Sequence, residues 1–137
     1  MNKKPMIISA ILVVLLICGY AVFDRIFPKA PAMTVPEKES VLSISIVRND
    51  GSFAAVAGTD YERVLRSLTK ARPTREMSIN DSPAAKVYYA VKVQSSNREY
   101  RYFIYMNNYN VYIEIPYEGI YRTDGTLFDA AERYFKY

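Results

Sequence analysis

The chain has 137 residues, half of them hydrophobic, with 18 basic and 14 acidic residues, one cysteine and no histidine. That length holds one domain and a short extra segment. The single cysteine, Cys18, lies inside an apolar run, so the rest of the chain has no means to build a Cys/His zinc site, a disulfide, a cysteine nucleophile or a Ser-His-Asp triad. The net charge of +4 is uneven. Lys3, Lys4, Arg25 and Lys29 are four of the basic residues and Asp24 is one of the acids, leaving 14 against 13 from residue 30 onward, a net of +1. A nearly neutral remainder gives no reason to expect nucleic acid as a partner.

The first element is Met6–Phe23, eighteen residues without a charge. As a helix rising 1.5 Å per residue it spans roughly 27 Å, close to the ~30 Å hydrocarbon layer of a bilayer. A run with no polar face is unsuited to a soluble surface helix. It reads as a transmembrane signal anchor over 6–23, with residues 1–5 cytoplasmic because Lys3 and Lys4 precede it, and the remainder extracytoplasmic. The alternative is a signal peptide cut after Ala30-Pro31-Ala32, which would leave a secreted protein, although that site lies far from the apolar core. Lipidation at Cys18 fits poorly, because Ile17 precedes it where a small residue is needed.

Residues 24–40 carry Pro28, Pro31 and Pro36 among charges and predict a semi-stiff spacer, so the globular domain is expected over 41–137. VLSISIV (41–47) alternates as a half-buried strand, Asp50-Gly51 predicts a tight turn, and a short strand can return over 53–58. Thr59 and Glu62 match a capping box for a helix reaching about Ala71, with Tyr61, Val64, Leu65 and Leu68 on its buried stripe. The polar stretch 74–83 holds an Asn-Asp turn signal and room for a short edge strand. Three alternating runs between Ala85 and Ile115 are rich in β-branched and aromatic residues. A two-residue loop at Asn107-Asn108 predicts pairing of Ile104 with Val111, Phe103 with Tyr112 and Arg101 with Glu114; a four-residue loop over 95–98 places Val93, Val91 and Tyr89 on the same aliphatic face. Ile120–Arg122 extends the sheet briefly, and Asp124 can cap a last helix burying Leu127, Ala131 and Tyr134. The expected fold class is α+β: an antiparallel sheet of four to five strands, two helices on one face, and the N-terminal transmembrane helix before it.

Two places offer candidate chemistry. The sheet face opposite the helices carries Tyr88, Lys92, Arg101, Phe103, Tyr105, Tyr112 and Glu114, whose aromatic area and hydroxyls suit docking of a peptide or glycan. Cross-strand aromatic pairs stabilise a sheet equally well, and the 74–83 segment is a potential cover for them. The loops SINDSP and EIPYEGIY bring Asn80, Asp81, Tyr117 and Glu118 as a second candidate. Converging carboxylates at Asp81, Glu114 and Glu118 would serve hydrolysis, whereas turn chemistry accounts for the same residues without a substrate. The spacing of a calcium loop is missing. No catalytic residue, metal or cofactor is assigned.

Thr74, Ser78, Asn80, Asp81 and Pro83, then YFIY (102–105) and YIEIPYEGIY (112–121), give the chain a resemblance to a family of short exported proteins of Gram-positive bacteria built around a domain of unknown function. The resemblance covers roughly 41–137 and implies a fold and a location but no activity. The function expected is a non-enzymatic, membrane-tethered extracytoplasmic interaction module whose partner is an envelope or secreted protein or peptide. A narrower version is an immunity or inhibitor protein against a secreted toxin or hydrolase. A small carboxylate-dependent hydrolase is the enzymatic alternative.

Overall fold

The computed structural model describes residues 3–136. A long helix, α1 (Lys3–Ile26), opens the chain, and its side chains from Lys4 onward are exposed. It is long and apolar enough to be a membrane span or a signal sequence. A 3-10 turn at Lys38–Ser40 leads into strands β1 (Val41–Arg48) and β2 (Phe53–Ala55), then helix α2 (Tyr61–Thr69) and strand β3 (Arg72–Pro73). Strands β4 (Tyr88–Ser95), β5 (Glu99–Asn107), β6 (Asn110–Ile115) and β7 (Gly119–Thr123) form a meander, and helix α3 (Thr126–Arg133) follows. All strand pairs are antiparallel, in the order β2-β1-β4-β5-β6-β7-β3.

The sheet thus has seven strands where four to five were expected. The expected return over 53–58 forms as β2 and the Ile120–Arg122 extension lies within β7; the unforeseen member is the edge β3, two residues long and too short to show an alternation. The helices are α1 and two on the domain. The face of α2 and α3 is the one the alternation predicted: Ile44, Ile46, Val91, Val93, Ile104 and Ile113 are buried against Leu65 and Leu68 of α2 and Leu127 and Ala131 of α3.

Local details differ from the sequence expectation for identifiable reasons. The β5–β6 hairpin turns on Asn108-Tyr109, both with positive φ (47° and 64°), and not on Asn107-Asn108. Asn107 instead pairs with Asn110, so Ile104 faces Ile113, Tyr105 faces Tyr112 and Phe103 faces Glu114. This is a slip of two residues, which leaves every side chain on its predicted face. The capping box is not made: a 3-10 turn at Gly58–Asp60 precedes α2, and Glu62 binds Lys38 (3.1 Å) and Arg66 (2.6 Å). At α3 the N-cap position is Gly125, and Asp124 just before it accepts the Thr126 amide at 3.0 Å; Thr126, through its side chain first and its amide second, holds the Asp124 carboxyl below the usual carboxylate range.

Residues 30–36, expected as spacer, lie on the domain. Ala30, Met33 and Val35 pack against the core and Pro36 is buried. Tyr121 donates to the Pro31 carbonyl (2.7 Å), Tyr102 donates to the Thr34 carbonyl (2.6 Å), and the Ala30 amide donates to the Thr74 carbonyl (2.9 Å). Upstream, the Arg75 guanidinium bonds the Asp24 carboxylate at 2.7 Å and the Phe27 carbonyl, and sits 5.1 Å from the centre of the Phe23 ring. The end of α1 is therefore fastened to the domain by one arginine.

This packing explains Gly119, where a Cβ would collide with the Cβ of Ala30. Gly119→Ala is expected to lower stability by about 1–3 kcal/mol, and Ala30→Gly in the same chain to restore part of it, as thermal melting would show. Burial, as the largest cause, also raises the phenol pKa values of Tyr89, Tyr102, Tyr121 and Tyr134. With folded values above the unfolded value of about 10, the neutral phenols favour the folded state; their contribution is whole below pH ~10 and is lost as pH rises through the folded values. Absorbance at 295 nm should therefore show these tyrosines ionising together with the loss of circular dichroism; independent ionisation within an intact fold would contradict it.

Candidate functional site

Residues 74–87 cross the second face of the sheet as a strap. Thr74 fastens its start, with both its amide (3.0 Å) and its hydroxyl (2.7 Å) donating to the Ile120 carbonyl. Its end is held where Asn49 donates to the Lys86 carbonyl at 3.0 Å. Between them Ser78 and Pro83 are buried. The strap closes much of the aromatic face: Phe103, Tyr105 and Glu114 are buried, Tyr88, Lys92 and Tyr112 are half-buried, and Arg101 is exposed. Tyr88 meets Phe103 edge to face at 5.6 Å, and Tyr105 stacks on Tyr112 at 5.7 Å. The expected Arg101–Glu114 pairing does not form. Arg101 lies opposite Lys92 and is held by Glu99 at 2.9 Å, while Glu114 lies beneath the strap.

The second candidate group turns out to be the clasp of this strap. Ser78 donates to Glu114 at 2.7 Å, and its oxygen accepts the Tyr117 amide at 3.3 Å. The Tyr117 hydroxyl reaches back to Asp81 at 2.6 Å, and that acceptor raises the phenol's pKa. Tyr117 occupies the third position of a tight turn after Pro116, closed by the Glu118 amide on the Ile115 carbonyl (3.0 Å), with φ at +63°. That backbone ordinarily favours glycine or asparagine; here the two bonds that Tyr117 donates, to Asp81 and to Ser78, hold a tyrosine in it. Ser78 and Asp81 of the first motif thus each bond a residue of the second. Asn80 lies in the groove described next.

The acids do not converge. Asp81 is spent on Tyr117, Glu114 on Ser78, and Glu118 lines a separate small hollow with Thr34, Arg98 and Tyr102. Among the described residues no three Asp, Glu, Cys or His side chains are grouped to hold a metal. The arrangement offers no paired carboxylates for acid/base hydrolysis.

Beside the strap runs an open groove of about 440 Å³. Glu114 and Tyr105 line its floor; Met77, Ile79, Met106 and Lys86 line its sides. Burial is the first cause of a raised Tyr105 phenol pKa, followed by the adjacent Glu114 carboxylate. Met77 and Ile79 are 80% and 69% exposed although apolar. Sequence reasoning passed over both, and Ser78 as a contact, because the surrounding stretch is polar; the local signal is the Met77-Ser78-Ile79 alternation, which turns serine down and its neighbours up. A hollow of about 550 Å³ between α2 and α3 is lined by Arg63, Asp129, Arg133 and Tyr134, but Arg63 is paired with Asp60 at 3.0 Å.

A family model, described as "Domain of unknown function (DUF5300)", matches residues 29–122. The chain belongs to the DUF5301 family. The matched segment begins where the 30–36 stretch joins the core and ends in β7, so the DUF5301 region takes in the clasp, the strap and the groove but not α1. The fold is similar to that of an NMR structure of a protein from Ruminococcus gnavus, at 26% identity and a TM-score of 0.61, covering 72% of this chain and 98% of that one. No curated protein matches.

The clasp yields a stability test. Ser78→Ala would leave the buried Glu114 carboxylate short of a donor, at a cost of about 1–3 kcal/mol. Urea denaturation of the two chains is expected to show that loss, and unchanged stability would mean that Ser78 is dispensable to the strap.

Proposed function

We propose that this protein is a non-enzymatic interaction module, tethered to the membrane by α1 with its domain on the extracytoplasmic side. Its docking site is the groove beside the strap, and its partner is an extended segment of an envelope or secreted protein. The observation that carries this reading is the exposed apolar pair Met77 and Ile79 along a groove with a polar floor. Exposed apolar side chains rimming a concavity are a usual mark of an interaction site. The motif residues Thr74, Ser78, Asp81, Glu114, Tyr117 and Ile120 bond one another and hold the groove's wall in place, which supports a scaffold for recognition over a reaction centre.

The uncovered apolar surface of α1 and the Arg75 link to its last turn support tethering close to the bilayer. The sheet edges give less support to strand addition by a partner. Both edge strands are very short, and one ends in Pro73, which has no amide hydrogen to donate.

The test combines location and contact. A C-terminally tagged chain is expected to stay in the membrane pellet after carbonate washing and to be digested by protease added to spheroplasts. A photo-crosslinking residue at Ile79 is expected to give a discrete adduct, whereas one at the exposed Thr59 gives none. Release by carbonate or protection from protease would overturn the tethered reading, and identical adduct patterns at both positions would overturn the groove.

A further inference from the structure

We infer that the groove receives a cationic side chain, a lysine or arginine carried on an extended apolar partner segment, with its charged head against Glu114. This rests on the groove being the docking site. Glu114 lies at the groove's floor and is only 5% exposed. Its neighbours are hydroxyls: Ser78 donates to it at 2.7 Å, and the Tyr105 phenol lies against it. Among the described residues no lysine or arginine nitrogen lies within 4.0 Å of it, since the ion pairs all lie elsewhere. The nearby cations are committed or apart. Arg101 is held by Glu99, Arg122 is held by the Asn110 side chain at 2.5 Å, and half-buried Lys92 and exposed Lys86 at the rim form no ion pair among the described residues.

A buried carboxylate served only by hydroxyl dipoles keeps most of its desolvation cost, and a counter-charge brought in by a partner would offset it. The walls suit what precedes the charge on such a side chain. Met77, Ile79 and Met106 present thioether and alkyl surface to a methylene stem and to apolar residues beside it. A divalent cation fits less well, because one carboxylate with two hydroxyls falls short of the oxygen shell it needs.

The full chain in lipid nanodiscs, with empty nanodiscs as blank, can be titrated calorimetrically with acetyl-Leu-Arg-Leu-amide. The matching peptide with citrulline keeps the shape of arginine and loses its charge. The arginine peptide is expected to bind roughly tenfold tighter than the citrulline peptide, and the preference to vanish in a Glu114→Gln chain with unchanged circular dichroism. Lys86→Gln leaves Glu114 intact and removes a like charge from the rim, so it should tighten the arginine peptide roughly threefold; it gives a readout even where Glu114→Gln does not fold. Equal affinity for the two peptides, no binding of the arginine peptide, weaker binding by Lys86→Gln, or an undiminished preference in folded Glu114→Gln would each overturn the assignment. An Ile79 adduct obtained alongside such a result would keep the groove as the docking site and discard the cation; loss of both would discard both.

Discussion

The hydrogen bond from Ser78 to Glu114 is the contact on which the second face of this protein depends. A carboxylate at the centre of a sheet is expensive to bury, and it stays there because a hydroxyl meets it from above. The strap that brings the hydroxyl also brings the cover for Phe103 and Tyr105, so polar satisfaction and apolar burial are delivered by the same stretch of chain. Tyr117 then locks the arrangement from the other side, using its backbone on Ser78 and its phenol on Asp81. Two motifs whose bonded residues lie 36 and 39 positions apart in the chain become one unit by this route.

Much of the architecture was legible in the residues. Period-two alternation placed Ile44, Val91, Ile104 and Ile113 on one face, and the i, i+3, i+4, i+7 stripe placed Val64, Leu65 and Leu68 against it. These signals survive because burial of a whole face is a sum over many side chains. Register is a finer property: a slip of two leaves the face sum unchanged, so only the turn decides, and it takes Asn108 with Tyr109 where left-handed propensity alone favours Asn107 with Asn108. The missed capping box has the same origin, since Glu62 had two cations within reach that lie far away in sequence or one turn along the helix.

The site was less legible than the fold. The seven residues of the aromatic face were placed on the right side of the sheet, yet alternation cannot say what lies over a face. That was decided by a polar segment whose contacts are Ser78, Asp81 and Pro83, residues that read as a turn when taken alone. Proline-rich residues 30–36 hid in a similar way. Their hold on the core comes from Tyr102 and Tyr121, whose hydroxyls bond carbonyls that no local pattern marks. Tyrosine serves here as a strut with an apolar shaft in the core and a donor at the tip.

The short edges of the sheet have a consequence for how two copies of this domain meet. An open strand edge lets an encounter between identical domains template the next. A margin of three residues on one side and a proline-ended pair on the other leaves little backbone for a neighbour to grip. Strand pairing is therefore a poor route by which one copy of this domain could join another.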